Sequence, residues 1–150
     1  MWERRTAYGA VSSNKQHINP EGHWDWHIPT PFSQAVKVGR TIYLGGQLSA
    51  DEKGNVIGVG DIEVQTRNVF ENITKLLEAA GATWNDVVKL NTYYVFNGTG
   101  QEAQVFWEKM TKVRLEYLPT PGPGATAVRV AGLMYEGFLI EADVVAVIDE

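Results

Sequence analysis

From Phe138 to Ile148 the chain alternates. Ile140, Ala142, Val144, Ala146 and Ile148 fall on one side, and Glu141, Asp143, Val145 and Val147 on the other. A period of two belongs to a β-strand, whose successive side chains point to opposite faces. One wholly apolar face has to be covered by a second layer of structure. The other face, half apolar and carrying two carboxylates, suits neither plain core nor plain solvent surface. Ala125 to Leu133 alternates too, with Thr126, Val128 and Val130 opposite Ala125, Ala127, Arg129 and Ala131. We assign Thr126, Val128 and Val130 to the covered face. That leaves Arg129 on the mixed face with Glu141 and Asp143.

The covering layer is legible as helices. Ile62, Val69, Phe70, Ile73, Leu76, Leu77 and Ala80 recur at three- and four-residue steps, with Asp61 placed to cap the start and Gly81 to end the run. A second helix is expected from about Gln101 to Leu118, with Ala103, Phe106, Trp107, Met110, Val113, Tyr117 and Leu118 on its apolar face and Pro119 as its stop. Strands are expected at Gln34–Val38, Thr41–Gly46 and Asp86–Val95, with an opening strand at Arg5–Ser12. Tyr135–Gly137 gives the last two strands a hairpin-like spacing. The order strands, helix, strand, helix, two strands implies an α+β fold: one mixed sheet with two helices on a single face. Residues 1–30, punctuated by Pro20 and Pro29, read as an irregular N-terminal extension, and 31–150 as the domain.

Composition narrows the function. At 150 residues the chain fits one domain, small enough for self-association to be an efficient way of burying surface. Its net charge is −5, and the densest basic group, Lys109, Lys112 and Arg114, is interrupted by Glu108 and Glu116. No nucleic-acid partner is expected from that pattern. There are no cysteines, so disulfides, thiolate metal sites and a cysteine nucleophile are excluded. No run approaches the roughly 20 apolar residues of a membrane span, and no signal-peptide pattern opens the chain. The expected location is the cytoplasm.

Several stretches, taken together in their order, resemble the RidA/YjgF family of reactive-intermediate imine deaminases. They are PFSQAVKVGRTIYLGGQLS, then QTRNVFENITKLLEAAGATWNDVVKLNTYYV, then PGATAVRVAGL and FLIEADVVAV. No single motif among them is specific. The resemblance covers roughly Pro31 to Ile148. It implies a chorismate-mutase-like fold, a homotrimer with ligand clefts between neighbouring subunits, and hydrolysis of small enamines and imines without a metal or bound cofactor.

The resemblance also implies roles residue by residue. Glu141 matches the family's cleft glutamate, a candidate for positioning or polarising water. Gly46 and Gln47 match a Gly-Gln element whose backbone can meet a ligand, and Phe32 stands where many members have tyrosine. Thr126 matches a serine. The arginine that precedes this serine and grips the substrate carboxylate is replaced by Ala125. Alanine cannot make the bidentate, charge-assisted contact that arginine makes. The expected substrate is therefore something other than the small 2-imino acids, and it can be larger. Arg129 lies four residues beyond Ala125, roughly 13 Å along an extended strand. It either supplies the missing cleft charge or pairs with Glu141 or Asp143 across neighbouring strands.

Other constellations carry less. His23, Asp25 and His27 lie among Trp24, Trp26 and Pro29, without the helical spacing of paired histidine ligands, so no metal is expected. The stretch reads as aromatic packing near a subunit boundary or as a lid. The Pro121–Gly124 turn lacks the Gly-Lys-Ser/Thr ending and following helix of a phosphate loop. Ser12, Ser13, Ser33 and Ser49 sit in no nucleophile-elbow context. The expected function is binding of a small organic molecule in an intersubunit cleft, with hydrolysis of an imine, enamine or related C–N bond assisted by Glu141. The alternatives are a ligand-binding trimer without catalysis and, further off, a ribonuclease or translation inhibitor.

Overall fold

The computed structural model describes residues 14–149. The strand expected at Arg5–Ser12 lies outside them. The described strands are β1 (Lys15–Ile18), β2 (Ala35–Val38), β3 (Thr41–Leu44), β4 (Gln47–Leu48), β5 (Val87–Tyr94), β6 (Gly124–Arg129) and β7 (Ile140–Val147), with helices α1 (Ile62–Ala79) and α2 (Gly100–Tyr117). They form one mixed sheet in the order β1-β2-β3-β7-β5-β6, with β4 pairing to β7. Every pair is antiparallel except β5 with β6.

The helix signals hold locally. Asp61 accepts a hydrogen bond from the Val64 amide at 3.1 Å, filling one of the donors orphaned at the start of α1. Gly81 follows the helix with φ +82°, a conformation glycine adopts without a Cβ penalty. Val69, Phe70, Ile73, Leu76 and Leu77 are buried against Ile42, Leu90, Ile140, Ala142, Val144 and Ala146 of the sheet. Each such side chain, fully buried, contributes about 1.5–3 kcal/mol. Met110 of α2 joins the same core, so both helices cover one face. Trp107, expected on the buried face of α2, is instead 43% exposed.

Four sequence readings are corrected. First, residues 1–30 are not wholly irregular, because β1 pairs with β2 in register from Lys15↔Val38 to Ile18↔Ala35. Second, the penultimate strand stops at Arg129 rather than reaching Leu133. Third, β6 and β7 do not form a hairpin: β5 lies between them. A strand–helix–strand unit makes a parallel pair, so α2 returns the chain to lay β6 parallel beside β5, and β7 must enter on the other side.

The fourth correction concerns faces. Residues opposite one another in a ladder share a face. Ala125, Ala127 and Arg129 pair with Leu90, Thr92 and Tyr94, which pair in turn with Val144, Ala142 and Ile140. Those positions of β6 therefore lie on the helix side. Thr126 and Val128 share the opposite face with Asp143 and Glu141. The sequence reading had the two sides of β6 exchanged. Its periodicity was right, but both of its sides are apolar enough to pass for the covered one.

The uncovered face carries Val36, Val38, Val145 and Val147, all half-buried, and Tyr43, which is 52% exposed. Around them stand Lys89, Asn91, Tyr93, Thr126, Glu141 and Asp143.

Candidate functional site

Glu141, the second residue of β7, lies on the uncovered face, opposite Tyr93 on one side and Leu48 on the other. Its carboxylate lies over Gly46. A Cβ built at Gly46 would stand 2.0 Å from Glu141 Oε1 and 2.8 Å from its carboxyl carbon. Only glycine leaves that space, so the Gly46 backbone and the Glu141 side chain form one surface. Asp143 follows two residues on, and its Oδ1 accepts a 2.9 Å hydrogen bond from Asn91 Nδ2. Among the described residues, no hydrogen bond or ion pair holds the Glu141 carboxylate. Burial, reinforced by the neighbouring negative charge of Asp143, pushes Glu141 above the usual carboxylate range. A carboxyl of this kind can take up and release a proton nearer neutrality.

Phe32 is 71% exposed. Its neighbour Ser33 runs beside the same glycine pair, since the Gly45 amide donates to Gln34 O at 2.8 Å. Ser33 Oγ also lies 2.7 Å from His17 Nδ1. This contact spans sixteen residues and leaves no local sequence signal. Thr126 sits two strands from Asp143, both paired to Asn91, hence roughly 10 Å away on the same face. Thr126 Oγ1 accepts a 2.8 Å hydrogen bond from Lys89 Nζ.

Gln47 is placed differently. It pairs with Ala142, so its side chain enters the helix side and is fully buried. Its Oε1 accepts from His23 Nε2 (2.7 Å) and Trp24 Nε1 (2.8 Å), while Nε2 donates to Gln34 Oε1 (2.9 Å) and Gly45 O (3.1 Å). All four hydrogen-bonding positions of the amide are used. Gln47 therefore acts by fastening the His23–Trp24 segment to the sheet. Burial pushes His23 below the ordinary imidazole range, and its Nδ1 has no partner.

The two helix-side candidates separate from Glu141. Ala125 faces away from it, and so does Arg129, whose Nη1 donates to Gly98 O at 2.6 Å and Phe96 O at 3.4 Å. Pairing of Arg129 with Glu141 or Asp143 is overturned, because β5 lies between their strands and the side chains face opposite ways. His23, Asp25 and His27 do not converge. Asp25 Oδ1 accepts from the Trp26 amide, and His27 meets the Tyr135 ring edge-on at 5.4 Å. Among the described residues, no group of three or more histidines and carboxylates is arranged to hold a metal. Trp24 packs edge-to-face on Trp26, with ring centroids 5.1 Å apart.

A concavity of about 470 Å³ is lined by Phe96, Gln101, Glu102, Val105, Phe106 and Lys109. It contains none of the residues around Glu141. The Glu141 carboxyl stands on the uncovered face of the sheet. No helix among the described residues is long and apolar enough to cross a membrane.

Residues 27–148 match the family model described as endoribonuclease L-PSP. A RutC family protein of Pyrococcus horikoshii is 40% identical over 116 residues, covering 77% of this chain and 86% of the relative. A 2-iminobutanoate/2-iminopropanoate deaminase of Dermatophagoides farinae is 35% identical over 104 residues, covering 69% of this chain and 75% of the relative. Among solved structures, RidA from an Antarctic Psychrobacter superposes with a TM-score of 0.73 at 34% identity, covering 89% of this chain and 99% of that one.

Proposed function

Since the chain belongs to the RidA/YjgF family, whose members include proteins named imine deaminases, we propose that it hydrolyses an imine, enamine or related C–N bond of a small organic molecule held between subunits of a homotrimer. The observation that carries the reading is the Glu141 carboxyl, laid over the bare Gly46 backbone without a partner and pushed upward by burial. In such a reaction water adds to the carbon of C=N, its proton passes to nitrogen, and the C–N bond of the resulting carbinolamine breaks to leave a carbonyl and ammonia. Glu141 takes the proton from water and returns it to the departing nitrogen. The Gly46 backbone and the 124–127 segment orient the substrate.

Two features support the assembly. The uncovered face is too apolar to suit solvent, with Val36, Val38, Tyr43, Val145 and Val147 forming a patch beside the polar residues of β5 and β6. In addition, β6 is an edge strand with all six residues exposed, an edge that proteins usually cover. The alanine at 125 favours a substrate other than the small 2-imino acids. The test couples an amino-acid oxidase to the protein and follows carbonyl release from imines of small and large amino acids. Acceleration over buffer that is lost in Glu141→Gln supports the reading. Ligand-dependent thermal stabilisation without acceleration favours a binding protein instead.

A further inference from the structure

Arg114 is a cation in an unusual setting. It is half-buried on α2, and no carboxylate among the described residues lies within 4.0 Å of it. Its Nε is buried without a partner, and Nη1 makes one 3.2 Å hydrogen bond to Thr111 Oγ1. Burial pulls the guanidinium below its ordinary range, with Tyr94 the one group acting in the other direction. A desolvated guanidinium without a counter-charge costs stability.

The surroundings can be built from the helix geometry. Lys112, Glu116 and Tyr117 reach Glu63, Arg67 and Glu71 of α1, so that flank of α2 faces the neighbouring helix. At 100° per residue, Trp107, Thr111, Arg114 and Leu118 occupy the other flank. α2 connects β5 to β6, and α1 stands on the side away from that edge. The Arg114 flank therefore overhangs β6, whose helix-side positions are Ala125, Ala127 and Arg129. Two alanines leave the space under the overhang open, and both are exposed. Arg129 is already committed to the carbonyls of Phe96 and Gly98. Among the described residues, Arg114 is a cation at this edge without a carboxylate partner.

We propose that the groove between α2 and β6 is an anion site, in which Arg114 takes the carboxylate of a small organic acid too bulky to fit had position 125 carried a long side chain. The inference rests on the small-ligand reading above, but it concerns binding and not turnover, so the two can fail separately. In one chain Arg114 and Glu141 lie on opposite sides of the sheet. A ligand touching both would need the glutamate of a second copy.

The experiment is calorimetric titration of the full chain with phenylpyruvate and 4-hydroxyphenylpyruvate, with phenylacetone as the uncharged control. Saturable binding of the acids is expected, absent for the ketone, with at least tenfold weaker affinity in Arg114→Gln and a smaller loss in Arg114→Lys. Arg114→Met keeps the apolar stem, and it should fold with an unchanged or higher melting temperature while losing the acids. Failure of the wild type to bind either acid would overturn the proposal. So would equal affinity in Arg114→Gln. A third overturning result is dissociation of the assembly in Arg114→Gln with acid affinity retained, which would assign the guanidinium to a subunit contact.

Discussion

Gly46 and Glu141 occupy each other's space: a methyl group at one would overlap the carboxylate of the other, at 2.0 Å from Oε1. This is a coupling between a β3–β4 connection and the second residue of β7, nearly a hundred positions away in sequence. Gly46→Ala should therefore displace the carboxylate while leaving the fold intact, because the clash falls on the movable end of a side chain. We expect a stability loss of about 1 kcal/mol or less and a fall in the C–N hydrolysis rate of about a hundredfold. In a Glu141→Ala background the same substitution should cost almost no stability. Urea unfolding of the four proteins of the cycle measures the coupling, and additive effects would show that the overlap is relieved elsewhere.

The raised Glu141 carboxyl fixes the sign of a pH effect. Its folded pKa lies above the ordinary value of 4.5, so the folded state holds the proton more tightly than the unfolded chain. Stability from this group is complete below about pH 4.5 and declines as pH rises through the folded value. Glu141→Gln removes the ionisation. Relative to wild type, it should match in stability near pH 4 and become the more stable protein as pH rises, with the difference levelling off above the folded pKa. Melting temperatures of both proteins from pH 4 to 8 test this. A constant difference would mean that Glu141 titrates normally.

The sequence was informative where a single element decided the matter and silent where two elements had to meet. The faces of β7 were legible because one side is uninterruptedly apolar, from Ile140 to Ala146. Those of β6 were not, because Ala125 and Ala127 look as coverable as Val128, and only the ladder to β5 settles the side. The resemblance singled out Glu141 and Gly46 without revealing their overlap. Gln47 was marked for its backbone, and nothing in the sequence showed that its side-chain amide is saturated in fastening the His23–Trp24 segment. Arg114 looked like one charge among several on a solvated helix. Its orphaned Nε appears only once α2 is set against the sheet.

Arg129 is better read as a clamp on the β5–α2 connection. Its guanidinium gathers the carbonyls of Phe96 and Gly98 just before the helix begins, while Phe96 stacks on Phe106 at 4.5 Å. Arg129→Gln should cost about 1 kcal/mol, below the roughly 1.5–3 kcal/mol of hydrogen bonds to a charged group, since the side chain is exposed. Binding of organic acids should be unaffected. Chemical denaturation and the titration used for Arg114 measure the two effects. An affinity loss with stability unchanged would return Arg129 to the ligand.

The uncovered sheet face gives the last expectation. Tyr43, Val145 and Lys89 form one row across β3, β7 and β5, with Val147 and Thr41 beside them. If this face meets its copies, wild type should have a mass in solution three times the 16.7 kDa of the chain. A charge placed in the row would then be buried without a partner, at a cost of several kcal/mol per subunit. Val145→Glu should therefore shift the assembly toward single chains. Leu115→Glu is the matched control, because Leu115 is 73% exposed and points away from the sheet on the outer side of α2. Light scattering after size exclusion reads both. Dissociation by Val145→Glu alone places the interface on the sheet. A monomeric wild type would remove the proposed intersubunit cleft.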